Sequence, residues 1–148
     1  VSSANQEKIE ELAEFLPNKR WHFRVKPAFK QTLQRFKDAG GPEGIRQQWE
    51  AQSDSVSLMG YLKTFPCIGE KYSRNMAMDV ADERFIDRIA IDHRIESICE
   101  NIEGWPTGGY ERKEQWLIQI GKQMGIDGWF LDRLLYGYYK YIQKLISN

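Results

Sequence analysis

The chain has 148 residues, 28% of them charged and 41% apolar, and its 21 basic and 21 acidic side chains balance to zero. That length suits one domain with a real core. The proportions are ordinary for a soluble globular protein, and no apolar run is long enough to span a bilayer, so no membrane partner is expected.

The zero total hides an asymmetry. Glu7, Glu10, Glu11 and Glu14 dominate the first sixteen residues, whereas Lys19, Arg20, Arg24, Lys26, Lys30, Arg35 and Lys37 follow with no acid among them. A clustered basic stripe is what a phosphate backbone requires, although a solvated helix face has the same composition. The start at Val1 carries no signal-peptide pattern and fits a chain trimmed upstream. Cys67 and Cys99 are too few for a disulfide framework and have no metal-ligand spacing with His22 or His93. Reduced thiols, an intracellular location and no metal are therefore expected.

Helical spacing recurs throughout, and no segment alternates like a strand. Ile9, Leu12, Ala13 and Leu16 form one stripe ended by Pro17; Phe29, Leu33 and Phe36 form another ended by Gly40-Gly41-Pro42. Pro42 opens a short helix with Ile45 and Trp49 inward, and Asp54 or Ser55 caps the next, which carries Leu58 and Leu62. After a break at Pro66 and Gly69, helices are expected from about Glu70 to Val80 and from Asp92 to Ile102. Gly104 to Gly109 reads as a loop. One further helix carries Trp116, Leu117, Ile120 and Met124, and a last one runs from near Asp127 through Leu131, Leu135, Tyr138 and Ile142 to Leu145. The expectation is a single all-α domain over 1–148, a compact bundle of seven to eight short helices.

The most informative stretch is Phe65-Pro66-Cys67-Ile68-Gly69-Glu70-Lys71-Tyr72-Ser73. Pro66 stops one helix, Ile68 plugs the gap between the two, Gly69 frees the backbone for a sharp turn, and Ser73 is small enough for close approach. The amides opening the next helix can then hold a phosphate oxygen at the positive end of the dipole. An ordinary αα-hairpin would also use such a turn.

This stretch resembles the helix-hairpin-helix signature, Leu-Pro-Gly-Val-Gly followed by two variable residues and a small one, with Cys67 standing where glycine is preferred and a bulkier Tyr72. Downstream, Ile91-Asp92-His93-Arg94-Ile95 resembles the element that delivers an aspartate and a histidine in helix-hairpin-helix DNA glycosylases, the endonuclease III and 8-oxoguanine glycosylase superfamily. Gly125 to Leu135 is similar to the closing helix of archaeal-type members. The resemblance is specific from Leu58 to Ile98 and thins upstream, which implies a reduced or N-terminally incomplete member.

The resemblance implies a base-excision repair glycosylase with AP lyase activity, with Lys71 as Schiff-base nucleophile and Asp92 as its carboxylate partner. Asp87 is a rival carboxylate at shorter spacing. Cys67, Ile68, Gly69, Lys71, Tyr72, Ser73 and His93 are the implied DNA contacts. The partner would be double-stranded DNA holding a damaged base or abasic site, bound by a monomer. No cofactor is implied, since two cysteines cannot ligate the iron–sulfur cluster of some relatives. The chemistry is coherent by itself: a carboxylate at a helix N-terminus stabilises positive charge on a deoxyribose, and a neutral lysine amine attacks C1′ once the nucleotide is extruded. Trp21, Phe23, Trp105 and Trp129 are candidates to stack on that base. The alternative is a helix-hairpin-helix module that grips DNA without chemistry.

Overall fold

The structure, a computed structural model, describes residues 22–146, with side chains from residue 27 onward. The expected Ile9–Leu16 stripe, Trp21, Phe23 and the basic side chains of Lys19, Arg20, Arg24 and Lys26 lie outside what is described. Every described element is helical, comprising eight α-helices and one 3-10 turn, and no strand occurs among the described residues. The chain divides into two compact units, one ending at Ile68 and the other beginning at Gly69.

In the first unit, α1 (His22–Asp38), α2 (Pro42–Glu50) and α3 (Ser55–Lys63) follow one another. Lys30, Arg35 and Lys37 are exposed while Phe29, Leu33 and Phe36 are half-buried, so the basic stripe and the apolar stripe occupy opposite faces of α1. Gly40 and Gly41 both have φ near +90° (86° and 88°), which turns the chain before Pro42 opens α2. Asp54 caps α3 through a reciprocal pair of bonds with Ser57. Beyond α3, Arg35 donates to the Thr64 hydroxyl and lies over the Phe65 ring, 5.1 Å from its centroid.

The second unit contains α4 (Glu70–Asp79), a 3-10 turn (Glu83–Phe85), α5 (His93–Cys99), α6 (Tyr110–Gln123), α7 (Gly128–Gly137) and α8 (Tyr139–Ile146). Its core is built on Ile89, Ile91, Ile95, Ile98, Leu117 and Leu131. Helix α4 ends in a Schellman turn, with Ala81 N–H on the Met78 carbonyl and Asp82 N–H on Ala77, and Ala81 at φ 54° where glycine is usual. Helix α7 starts where Trp129 N–H donates to the Ile86 carbonyl at 2.8 Å. Gly128 permits this approach, since a Cβ there would lie 2.8 Å from the Asp87 carbonyl carbon.

Two expectations are corrected. The last helix is not continuous: Tyr138 leaves helical geometry (φ −105°, ψ 17°) and separates α7 from α8. Gly137, a weak helix former, immediately precedes the break, and the apolar spacing simply continues across it. Helix α5 ends at Cys99 rather than Ile102, which lies in a bend and is partly exposed.

Candidate active site

The turn between α3 and α4 does not use its glycine as expected. Gly69 has φ −106° and ψ −161°, extended backbone open to any residue, and a Cβ there would meet nothing within 4 Å. The left-handed residue is Cys67, at φ 65° with its thiol exposed. The helix-hairpin-helix pattern places glycine at that position, and the backbone here adopts the conformation glycine favours. Ile68 is half-buried, and its N–H reaches back to the Phe65 carbonyl.

Gly69 offers no side chain to cap α4, so the first amides of the helix lack the usual side-chain acceptor. Lys71 stands in this first turn, 38% exposed, with its ammonium 5.2 Å from the centroid of the Tyr72 ring. Tyr72 itself is well exposed. Ser73, which the resemblance implies as a DNA contact, is fully buried, and its hydroxyl donates to the Glu70 carbonyl. Its side chain has no surface to offer a ligand, and its smallness serves the packing.

Asp92 is the N-cap of α5. Its Oδ1 accepts from the amides of Arg94 and Ile95, at 3.0 and 3.1 Å. The other oxygen, Oδ2, lies 3.7 Å from Lys71 Nζ, and the side chain is only 9% exposed. Two residues 21 positions apart in sequence thus meet, one from each helix start. The rival carboxylate, Asp87, is exposed beside the Gly128 approach. His93, the first residue of α5, is exposed next to the cap.

Asp92 is delivered by a buried segment outside any helix, Ile89-Ala90-Ile91. With no sheet to pair it, the backbone's polar groups need other partners. Ile89 N–H donates to Glu114 Oε1 at 3.1 Å, Ala90 N–H donates to Asp132 Oδ1 at 2.8 Å, and the Tyr110 hydroxyl donates to the Ile89 carbonyl at 3.2 Å. Glu114 in turn holds Arg74 bidentately, Nε to Oε1 at 2.8 Å and Nη2 to Oε2 at 2.6 Å, with both side chains fully buried. Arg74 also donates to the Glu70 backbone and carboxylate, lies 4.4 Å from the centroid of the Tyr110 ring, and shares Glu114 with Arg88 at 3.5 Å.

Burial pushes the Asp132 carboxyl up to about 6, against the opposing effects of the Ala90 amide and Arg133, while Asp92 and Asp79 add to the rise. Burial likewise pushes the Cys99 thiol up to about 12, which makes it an inert core sulfur.

No family model, curated protein or solved structure matches the chain.

Arg74, Glu114 and Asp132 carry the framework of the site and were not singled out for it by sequence. Only the spacing of Arg74 one turn beyond Lys71, and the Leu131-Asp132 pair in the closing helix, offered a signal. Of the stacking candidates, Trp105 packs edge-on to Trp116 at 5.3 Å, and the Trp129 indole donates to the Met78 carbonyl. Among the described residues no cluster of His, Cys, Asp and Glu could hold a metal ion, and no helix is long and apolar enough to cross a membrane.

Proposed function

We propose that this protein is a DNA glycosylase with associated AP lyase activity, acting on duplex DNA that holds a damaged base or an abasic site. What supports the reading is the 3.7 Å contact between Lys71 Nζ and Asp92 Oδ2. In this reaction the Lys71 amine attacks C1′ of an extruded nucleotide, the bond from C1′ to the base breaks, and the base leaves. Asp92 stabilises the positive charge that develops on the sugar; its other oxygen is tied to two amides, so it need not reorganise. The departing base takes up the proton that the amine gives up, and opening of the C1′–O4′ bond turns the adduct into a Schiff base. Loss of a C2′ proton then drives β-elimination, which breaks the bond from C3′ to its phosphate oxygen. The amides of Lys71 and Tyr72 in the first turn of α4, which has no side-chain cap, hold a phosphate of the same strand.

Borohydride trapping on abasic and lesion-bearing duplexes tests this. Wild type is expected to give a covalent adduct with DNA that Lys71→Ala lacks. An adduct undiminished in Lys71→Ala overturns the assignment. Salt-sensitive duplex binding with no adduct on any substrate would leave the non-catalytic DNA-binding module, which the half-buried Lys71 and the exposed Tyr72 in the same helix turn also suit.

A further inference from the structure

We infer that the buried Arg74–Glu114 pair is a positioning device that sets the separation of the Lys71 amine from the Asp92 carboxylate; the inference rests on the proposed function for its chemical meaning. Arg74 sits one helical turn after Lys71 on α4, and Glu114 accepts the amide of Ile89, three residues before Asp92. The route from nucleophile to carboxylate is therefore short and made of stiff parts. It runs along one turn of helix, across a two-pronged ion pair at 2.8 and 2.6 Å, through one hydrogen bond at 3.1 Å, and along a buried tripeptide.

Stability alone is a poor reason for such a pair. Two fully buried charges forfeit their hydration, and apolar residues of similar volume often serve a core as well or better. What the fork adds is orientation. A guanidinium bound through two parallel N–H groups cannot swivel, and the Glu114 Oε1 that accepts from Arg74 also accepts the Ile89 amide. Tyr110 closes the arrangement, with its ring against Arg74 and its hydroxyl on the Ile89 carbonyl. Arg74 and Glu114 touch no reacting atom and act through Lys71 and Asp92. Displacing a reacting group by about 1 Å costs on the order of 100-fold in rate, so small changes in this clamp have a large readout.

Two variants test it. Arg74→Lys keeps the charge and loses the fork; Glu114→Gln keeps an acceptor for Ile89 and loses the charge. The first readout is independent of activity: a zero-length carbodiimide joins Lys71 to Asp92 only while amine and carboxylate touch, and mass spectrometry counts the linked peptides. Both variants are expected to lose most of this link while retaining the wild-type circular dichroism spectrum. The second readout is the single-turnover rate constant on an abasic duplex, expected to fall by about 10- to 100-fold at unchanged amplitude. A purely structural role would lower the amplitude, as molecules unfold, and leave the rate constant of the rest intact. Folded variants with undiminished cross-linking overturn the inference while the proposed activity stands. Conversely, lost cross-linking in the variants of a wild type that never forms an adduct keeps the positioning role and discards the glycosylase.

Discussion

Asp92 divides its carboxylate between a helix and a lysine, Oδ1 capping α5 through the amides of Arg94 and Ile95 while Oδ2 lies 3.7 Å from Lys71 Nζ. The two tasks separate by substitution. Asparagine caps a helix about as well as aspartate, so Asp92→Asn should cost within about 1 kcal/mol, the most that a partly exposed ion pair contributes. Asp92→Ala loses the cap too and should cost roughly 1 kcal/mol more. Both should lower single-turnover base excision by about 100-fold or more. Urea melts set beside that rate constant check this; an active Asp92→Asn would remove the carboxylate from the mechanism.

The turn before α4 predicts a contrast between neighbours. Cys67 occupies φ 65°, where a side chain costs about 1–2 kcal/mol, so Cys67→Gly should stabilise the protein by about 1 kcal/mol after the entropy glycine forfeits. Gly69 is extended with open space around its Cα, so Gly69→Ala should change stability by no more than about 0.5 kcal/mol. The added methyl would instead stand beside the amides proposed to take a phosphate, and duplex affinity should fall. Thermal melts and fluorescence anisotropy decide it. A destabilised Cys67→Gly would mean that the left-handed backbone is not strained.

Asp132 predicts a pH dependence. Its carboxyl is raised to about 6 in the folded protein from the ordinary 3.8, chiefly by burial. Between about pH 4 and 6 the folded chain therefore keeps a proton that the unfolded chain has released. Stability from this group is greatest at or below pH 4 and declines as pH rises to about 6, by up to about 3 kcal/mol. Asp132→Asn retains an oxygen for the Ala90 amide and removes the titration. The difference in urea midpoint between variant and wild type should grow in the variant's favour from pH 4 to 6.5. Parallel curves would show that the carboxyl titrates normally.

Gly128 predicts a packing penalty. A Cβ there would lie 2.8 Å from the Asp87 carbonyl carbon and 3.0 Å from the Arg88 nitrogen, both unyielding backbone atoms. Gly128→Ala should destabilise by about 1–3 kcal/mol and disturb the Trp129 amide bond to Ile86. Unchanged denaturation together with unchanged Trp129 amide exchange would show that α7 can retreat without cost.

Lys71 and Asp92 were legible in the sequence because each stands beside a local signal: a Pro/Gly turn for one, and an apolar run ending in a capping residue for the other. The helices were legible for the same reason, since periodicity and caps act over a few residues. Arg74, Glu114 and Asp132 were not. An arginine inside a helix looks alike whether its partner is water or a carboxylate 40 residues away, and the Ala90 amide finds Asp132 across 42. The turn misled in a different way. A glycine is present, so the sequence points to it for backbone freedom, whereas the unusual dihedral belongs to a cysteine two positions earlier. The break at Tyr138 is invisible in the sequence because hydrophobic spacing does not register one residue leaving helical dihedrals.

The buried tripeptide Ile89-Ala90-Ile91 has a consequence for synthesis. A ribosome makes the lysine and the aspartate early, yet the amides leading to that aspartate have their acceptors on α6 and α7, 25 and 42 residues later. Until those helices emerge, the segment has no dry place to go and no partners for its backbone. A nascent or prematurely ended chain therefore carries Lys71 and Asp92 without the contacts that hold the segment leading to Asp92, and their juxtaposition arrives together with the C-terminal helices.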